Sequence, residues 1–141
     1  MVLSLPWIII ALVAYNAIVF LFGAPAPANP AETFDTVLFE LPMLSESAWR
    51  FTLGDLVLLI ALLALFVEIL KATRTRPLAI LDHGLSVLVF IICLIEFLLV
   101  PEATTSLFFF ITLIALIDVV AGFSVGIRAA RRDFSFGGDA P

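Results

Sequence analysis

Cysteine is almost missing from this chain: Cys93 is the single one in 141 residues. That excludes an intrachain disulfide framework and any site built on two thiolates. Histidine is as scarce, with His83 alone, so one chain cannot assemble a histidine-rich metal centre. Charge is thin too. Asp, Glu, Lys and Arg make up 13% of the residues, about half the share usual in soluble domains. The 63% hydrophobic content excludes a disordered chain, which needs low hydrophobicity and high charge. HExxH, the P-loop and paired cysteines are missing as well. Gly122-Phe123-Ser124-Val125-Gly126 matches GxSxG in form. It lies inside an apolar run rather than on a strand-to-helix elbow, and we read it as coincidence. No internal repeat is visible, which argues against inverted transporter repeats. The expectation is one membrane domain over residues 1–141, not an enzyme, with no cofactor, no metal site and no catalytic residue.

What the chain has instead is long apolar runs and a mean hydropathy of +1.23. A bilayer core about 30 Å thick needs roughly 20 apolar residues in a helix. Four stretches qualify. Residues 3–22 carry no charge. Residues 53–70 hold Asp55 at their start and Glu68 near their end. Residues 78–100 contain Asp82, His83 and Glu96, and residues 106–127 contain Asp118. Each is about twice the length of a membrane-barrel strand. The expected fold class is therefore all-α: an integral membrane bundle of four helices. Pro77 suits the first turn of the third helix and Pro101 ends it, while Thr104, Thr105 or Ser106 can cap the fourth.

Basic residues set the expected orientation. Lys71, Arg74 and Arg76 fall between spans two and three, Arg128, Arg131 and Arg132 follow span four, and Arg50 alone lies on the other side. This predicts an inner-membrane, multi-pass protein with both termini cytoplasmic, an outer loop over 23–52 and a cytoplasmic tail over 128–141. The basic rim suits anionic lipid rather than nucleic acid. Ala26-Pro27-Ala28 has the small-x-small form of a signal-peptidase site. Proline fits that site poorly and the n-region lacks Lys and Arg, so an uncleaved first helix is expected, with cleavage left open.

The outer loop is unusually apolar. After the proline-rich linker 24–30, two apolar runs flank Ser45-Glu46-Ser47 and read as a hairpin over 39–44 and 49–53; an interfacial helix over 30–39 also fits. Phe34, Phe39 and Trp49 are the candidate partner-docking residues. A bland alternative is that the loop lies on the bilayer and covers the helix ends.

The polar groups within the spans fall on narrow stripes. Asp82, Ser86, Val89, Cys93 and Glu96 share one face, as do Thr112, Ala115, Asp118, Gly122 and Gly126, and Val57, Ala61, Ala64 and Glu68. These small and polar faces should meet inside the bundle. Ala115, Gly122 and Gly126 are the candidate helix-packing residues, the two glycines forming a GxxxG step. Asp118, Glu96, His83, Glu68 and Ser86 are the candidate functional positions, because intramembrane polar groups need a partner or a purpose. Helical rise suggests an Asp118–Ser86 hydrogen bond and a Glu68–His83 ion pair. Glu96 has no basic partner except Arg50 outside, and Asn16 suits an interhelical hydrogen bond.

Three functions follow in order of preference. The first is a non-catalytic accessory, assembly or scaffold component, with a membrane-protein partner or a second copy of itself beside the lipid bilayer. The second is an oligomeric proton- or ion-coupled carrier or channel using Asp118 and Glu96. The third is a haem- or quinone-associated redox subunit using His83.

Overall fold

The computed structural model describes residues 5–22, 29–73 and 79–135. The linker residues 24–28 with the Ala26-Pro27-Ala28 motif, and Arg74, Arg76 and Pro77, lie outside them. The chain is mostly helical. Its elements run α1 (Ile8–Ala17, continued as a π turn over Ile18–Phe22), α2 (Pro30–Phe34), β1 (Val37–Pro42), β2 (Ala48–Thr52), α3 (Leu53–Ala72), α4 (Ala79–Leu99), a 3-10 turn (Pro101–Ala103) and α5 (Ser106–Ser135).

Three segments, Leu53–Ala72, Leu81–Leu99 and Ser106–Ile127, are helices long and apolar enough to cross a membrane. The first expected span, 3–22, is helical only from Ile8. Pro6 and Trp7 precede it in a turn whose carbonyls accept from Ile9 and Ile10, since proline favours a helix start over its interior. At 1.5 Å per residue, Ile8–Phe22 rises about 22 Å, short of a full hydrocarbon core. The last apolar span is found at its expected bounds, Ser106–Ile127. Helix α5 itself continues beyond it through Ser135, because no glycine or proline interrupts the run after Gly126 until Gly137.

The loop between α1 and α3 contains both structures that its sequence allowed. Asn29 caps α2 through Ala31 N–H to Oδ1 (3.1 Å), with Pro30 in the first turn. The antiparallel strands pair Phe39 with Phe51, Glu40 with Arg50 and Leu41 with Trp49, with a bulge between Val37 and Phe39. Glu46 closes the turn at φ 61°. Strand β2 then runs into α3 with no intervening loop. Thr52 is both its last residue and the helix cap: its Oγ1 accepts from Asp55 N–H (3.2 Å), and Asp55 Oδ2 accepts from Thr52 N–H (2.9 Å). That reciprocal capping box explains an acidic residue at the mouth of an apolar helix.

Helix α5 packs against both α3 and α4, and α1 packs against α3. Small residues occupy the contacts: Ala11, Ala61, Ala64, Cys93 and Ala115 are all buried, while Leu63, Phe66, Leu98, Leu99 and Val120 point outward. This inversion of the soluble pattern suits a lipid surround, where close backbone packing replaces hydrophobic collapse.

One core is aromatic. Tyr15 of α1 stacks on Phe34 (centroids 4.6 Å) and meets Phe108 edge-on (4.7 Å). Its hydroxyl donates to the Glu102 carbonyl (2.8 Å), so Thr105 Oγ1 must donate to the Tyr15 oxygen at 2.8 Å. Thr105 Oγ1 in turn accepts from Phe108 N–H (3.1 Å), which makes it the cap of α5. Replacing Tyr15 with Phe removes both bonds of the hydroxyl and leaves the Glu102 carbonyl and the Thr105 hydroxyl hydrogen without these partners. We expect Tyr15→Phe to lower stability by about 1–2 kcal/mol, measured by denaturant titration in detergent; an unchanged midpoint would show that this network carries no load.

Candidate functional site

Polar groups in the described bundle gather where α3 ends and α4 begins. Glu68, on the buried stripe of α3, is 5% exposed. Its Oε1 accepts the Trp7 backbone N–H at 2.6 Å, and its Oε2 pairs with Lys71 Nζ at 3.0 Å. Lys71 Nζ also approaches the Leu5 carbonyl at 3.4 Å. The carboxylate and ammonium thus fasten the start of α1 to the end of α3. This replaces the expected Glu68–His83 pair. Helix α5 stands between α3 and α4, whereas Lys71 lies one turn away from Glu68 on the same helix.

His83 takes another seat. A side chain built on Gly122 would place its Cβ 2.6 Å from His83 Nδ1, and one on Gly126 would lie 3.5 Å from Nε2. The imidazole therefore lies against the α5 backbone, with Phe123 tilted beside it at 5.7 Å. The GxxxG step makes room for this ring, a more specific use than general helix contact. Both ring nitrogens of His83 thus lie toward α5.

Asp118 sits one turn before Gly122 on α5 and is 5% exposed. Ser86 of α4 lies beside its carboxylate, with Glu68, Lys71 and His83 at longer range. The expected Asp118–Ser86 neighbourhood exists, yet Asp118 Oδ2 has no hydrogen-bond partner among the described residues, and neither does Asp82 Oδ1. No three His, Cys, Asp or Glu side chains converge as a metal site among the described residues.

Glu96, half-buried on α4, lies apart from this cluster. The Asn16 side chain of α1 stands within hydrogen-bonding reach of it, while Asn16 Nδ2 donates to its own helix at Leu12 O (3.1 Å). Arg50 is not its partner. That guanidinium pairs with Glu40 across the hairpin at 3.0 Å.

The hairpin divides the docking candidates. Phe39 and Trp49 are exposed, and with Leu41 and Phe51 they form one apolar face: Phe39 stacks on Phe51 (4.8 Å) and Trp49 meets Phe51 edge-on (5.7 Å). Phe34 is different. It is 4% exposed, wedged between Tyr15 and the start of α3, where Gly54 leaves room for it. It belongs to the core and cannot dock a partner.

Comparison with protein-family models, curated proteins and solved structures finds no match. The site must be read from its own chemistry.

Trp7, Lys71 and Tyr15 contribute most among the residues that sequence reasoning passed over. A signal existed for two of them. Lys71 lies three residues after Glu68, and Ile8, Ala11, Leu12 and Tyr15 share one helical face. Trp7 acts through its backbone and left none. We expect Lys71→Met to cost about 3 kcal/mol, because it removes one partner of a buried ion pair and leaves the other without its counter-ion. The double variant Glu68→Gln, Lys71→Met should recover most of that loss. Equal losses in single and double variants, by thermal unfolding in detergent, would refute the pairing.

Proposed function

We propose that this chain is a four-span inner-membrane protein with both termini in the cytoplasm, serving as a non-catalytic accessory, assembly or scaffold component of a membrane complex. The observation that carries the reading is the exposed apolar face of the hairpin, Phe39, Leu41 and Trp49, held on the end of α3 by the capping box. A two-stranded hairpin is marginal in water by itself, and an exposed apolar patch marks a surface that something else covers. Here that something is a membrane-protein partner or a second copy of the chain.

Other features support the placement. Helix α1 shares the core of the three long helices through Ile8, Ala11, Leu12 and Tyr15, as a fourth span would. Lys71 closes α3, and Arg74 and Arg76 follow it in the sequence, in keeping with a cytoplasmic position for that end of α3. Glu32, Asp35, Glu40 and Glu46 make the segment that carries the apolar face acidic. Such charge steers a basic partner surface more than it adds affinity.

The test is purification of the tagged protein in mild detergent. A stoichiometric partner, or a defined homo-oligomer, is expected with the natural sequence and should be lost from Phe39→Glu and Trp49→Glu. Their unfolding midpoints should stay close to that of the parent, since both side chains are exposed. Isolation as a monomer on its own, or a partner retained by both variants, sinks this reading.

A further inference from the structure

We propose that Asp118 is a proton-binding site, carrying an exchangeable proton at neutral pH between helices α3, α4 and α5. This goes beyond the accessory reading and holds whether or not the hairpin docks a partner. The geometry carries it. The side chain is 5% exposed and Oδ2 has no partner among the described residues. An ionised carboxylate there would keep a full charge in apolar surroundings with one oxygen unserved, and a buried group in that position neutralises itself instead. A protonated carboxyl carries no charge, and that removes the larger part of the cost of burying it.

Among the described residues, no cation forms an ion pair with Asp118. From α3, Glu68 and Lys71 both act on Asp118, but they lie 3.0 Å from each other, so that pair presents no net charge. From α4, Ser86 offers a neutral hydroxyl, and His83 is pressed into the Gly122 seat. No multi-ligand metal site converges among the described residues. A proton is the cation that one carboxylate can hold by itself. The balance is simple: Oδ2 gains an O–H bond to a proton drawn from water and returns it to water, with no change of oxidation state. His83 and Asp82 are partly exposed and lie one turn along α4 from Ser86, toward the end of the bundle.

Infrared spectroscopy of the detergent-solubilised protein tests this directly. At neutral pH the spectrum should contain the carbonyl stretch of an un-ionised carboxylic acid. That band should shift on carbon-13 labelling of aspartate, disappear in Asp118→Asn, survive in His83→Gln, and fade as pH rises within the folded range. If Asp118→Asn does not accumulate, the isotope shift in the parent protein, compared with Asp82→Asn, assigns the band. A carboxylate band in its place at neutral pH overturns the proposal, whether the charge is balanced by His83 or by water. So does an acid band that never titrates while the protein stays folded, because that proton would not exchange.

Discussion

The structure depends on α5 lying between α3 and α4. One helix must present acceptable faces to two neighbours at once, and it does so with small and polar residues: Thr112, Ala115, Asp118 and Gly122 are all buried. Bulky side chains are displaced to the outside, where lipid is as good a solvent for them as another helix. The same wedge decides which charges can meet. It separates Glu68 on α3 from His83 on α4, so Glu68 turns to Lys71 on its own helix and to the Trp7 backbone, while His83 settles onto glycine. The position of α1 follows from that choice, because Glu68 is what its first residues hold.

The two ends of the bundle solve the problem of buried polar groups differently. Near Tyr15, every hydrogen of the network has an assigned acceptor: Tyr15 to the Glu102 carbonyl, Thr105 to Tyr15, Phe108 N–H to Thr105. Near Asp118, one carboxylate oxygen is left over. A satisfied network rigidifies, and an incomplete one concentrates the cost where chemistry can relieve it. The contrast lies within the same apolar bundle, so bulk hydrophobicity does not explain it.

Much of this was legible in the sequence, for a physical reason. Helical periodicity places Val57, Ala61, Ala64 and Glu68 on one face, and all four are buried; turn chemistry at Ser45-Glu46-Ser47 and the alternating apolar residues around it gave the hairpin. What was not legible is adjacency. Four helices can be arranged in several orders, and periodicity alone does not put α5 between α3 and α4. The Glu68–His83 expectation failed on that point alone, since its estimate of depth assumed sequential neighbours. Phe34 misled for a related reason: an aromatic in an outer loop reads as exposed until a pocket is known beneath it, and that pocket belongs to Tyr15 and Gly54, distant in sequence.

The junction at Thr52 makes the outer hairpin and α3 mechanically one piece. There is no loop to absorb a tilt, and the capping box locks the only joint. Any push or twist on the hairpin is delivered along a single rod about 30 Å long, whose far end carries Glu68 and Lys71 beside Asp118. The rod is a lever with its handle at the hairpin and its far end beside a buried acid. Whatever grips the handle thereby acquires a say in how Asp118 is packed.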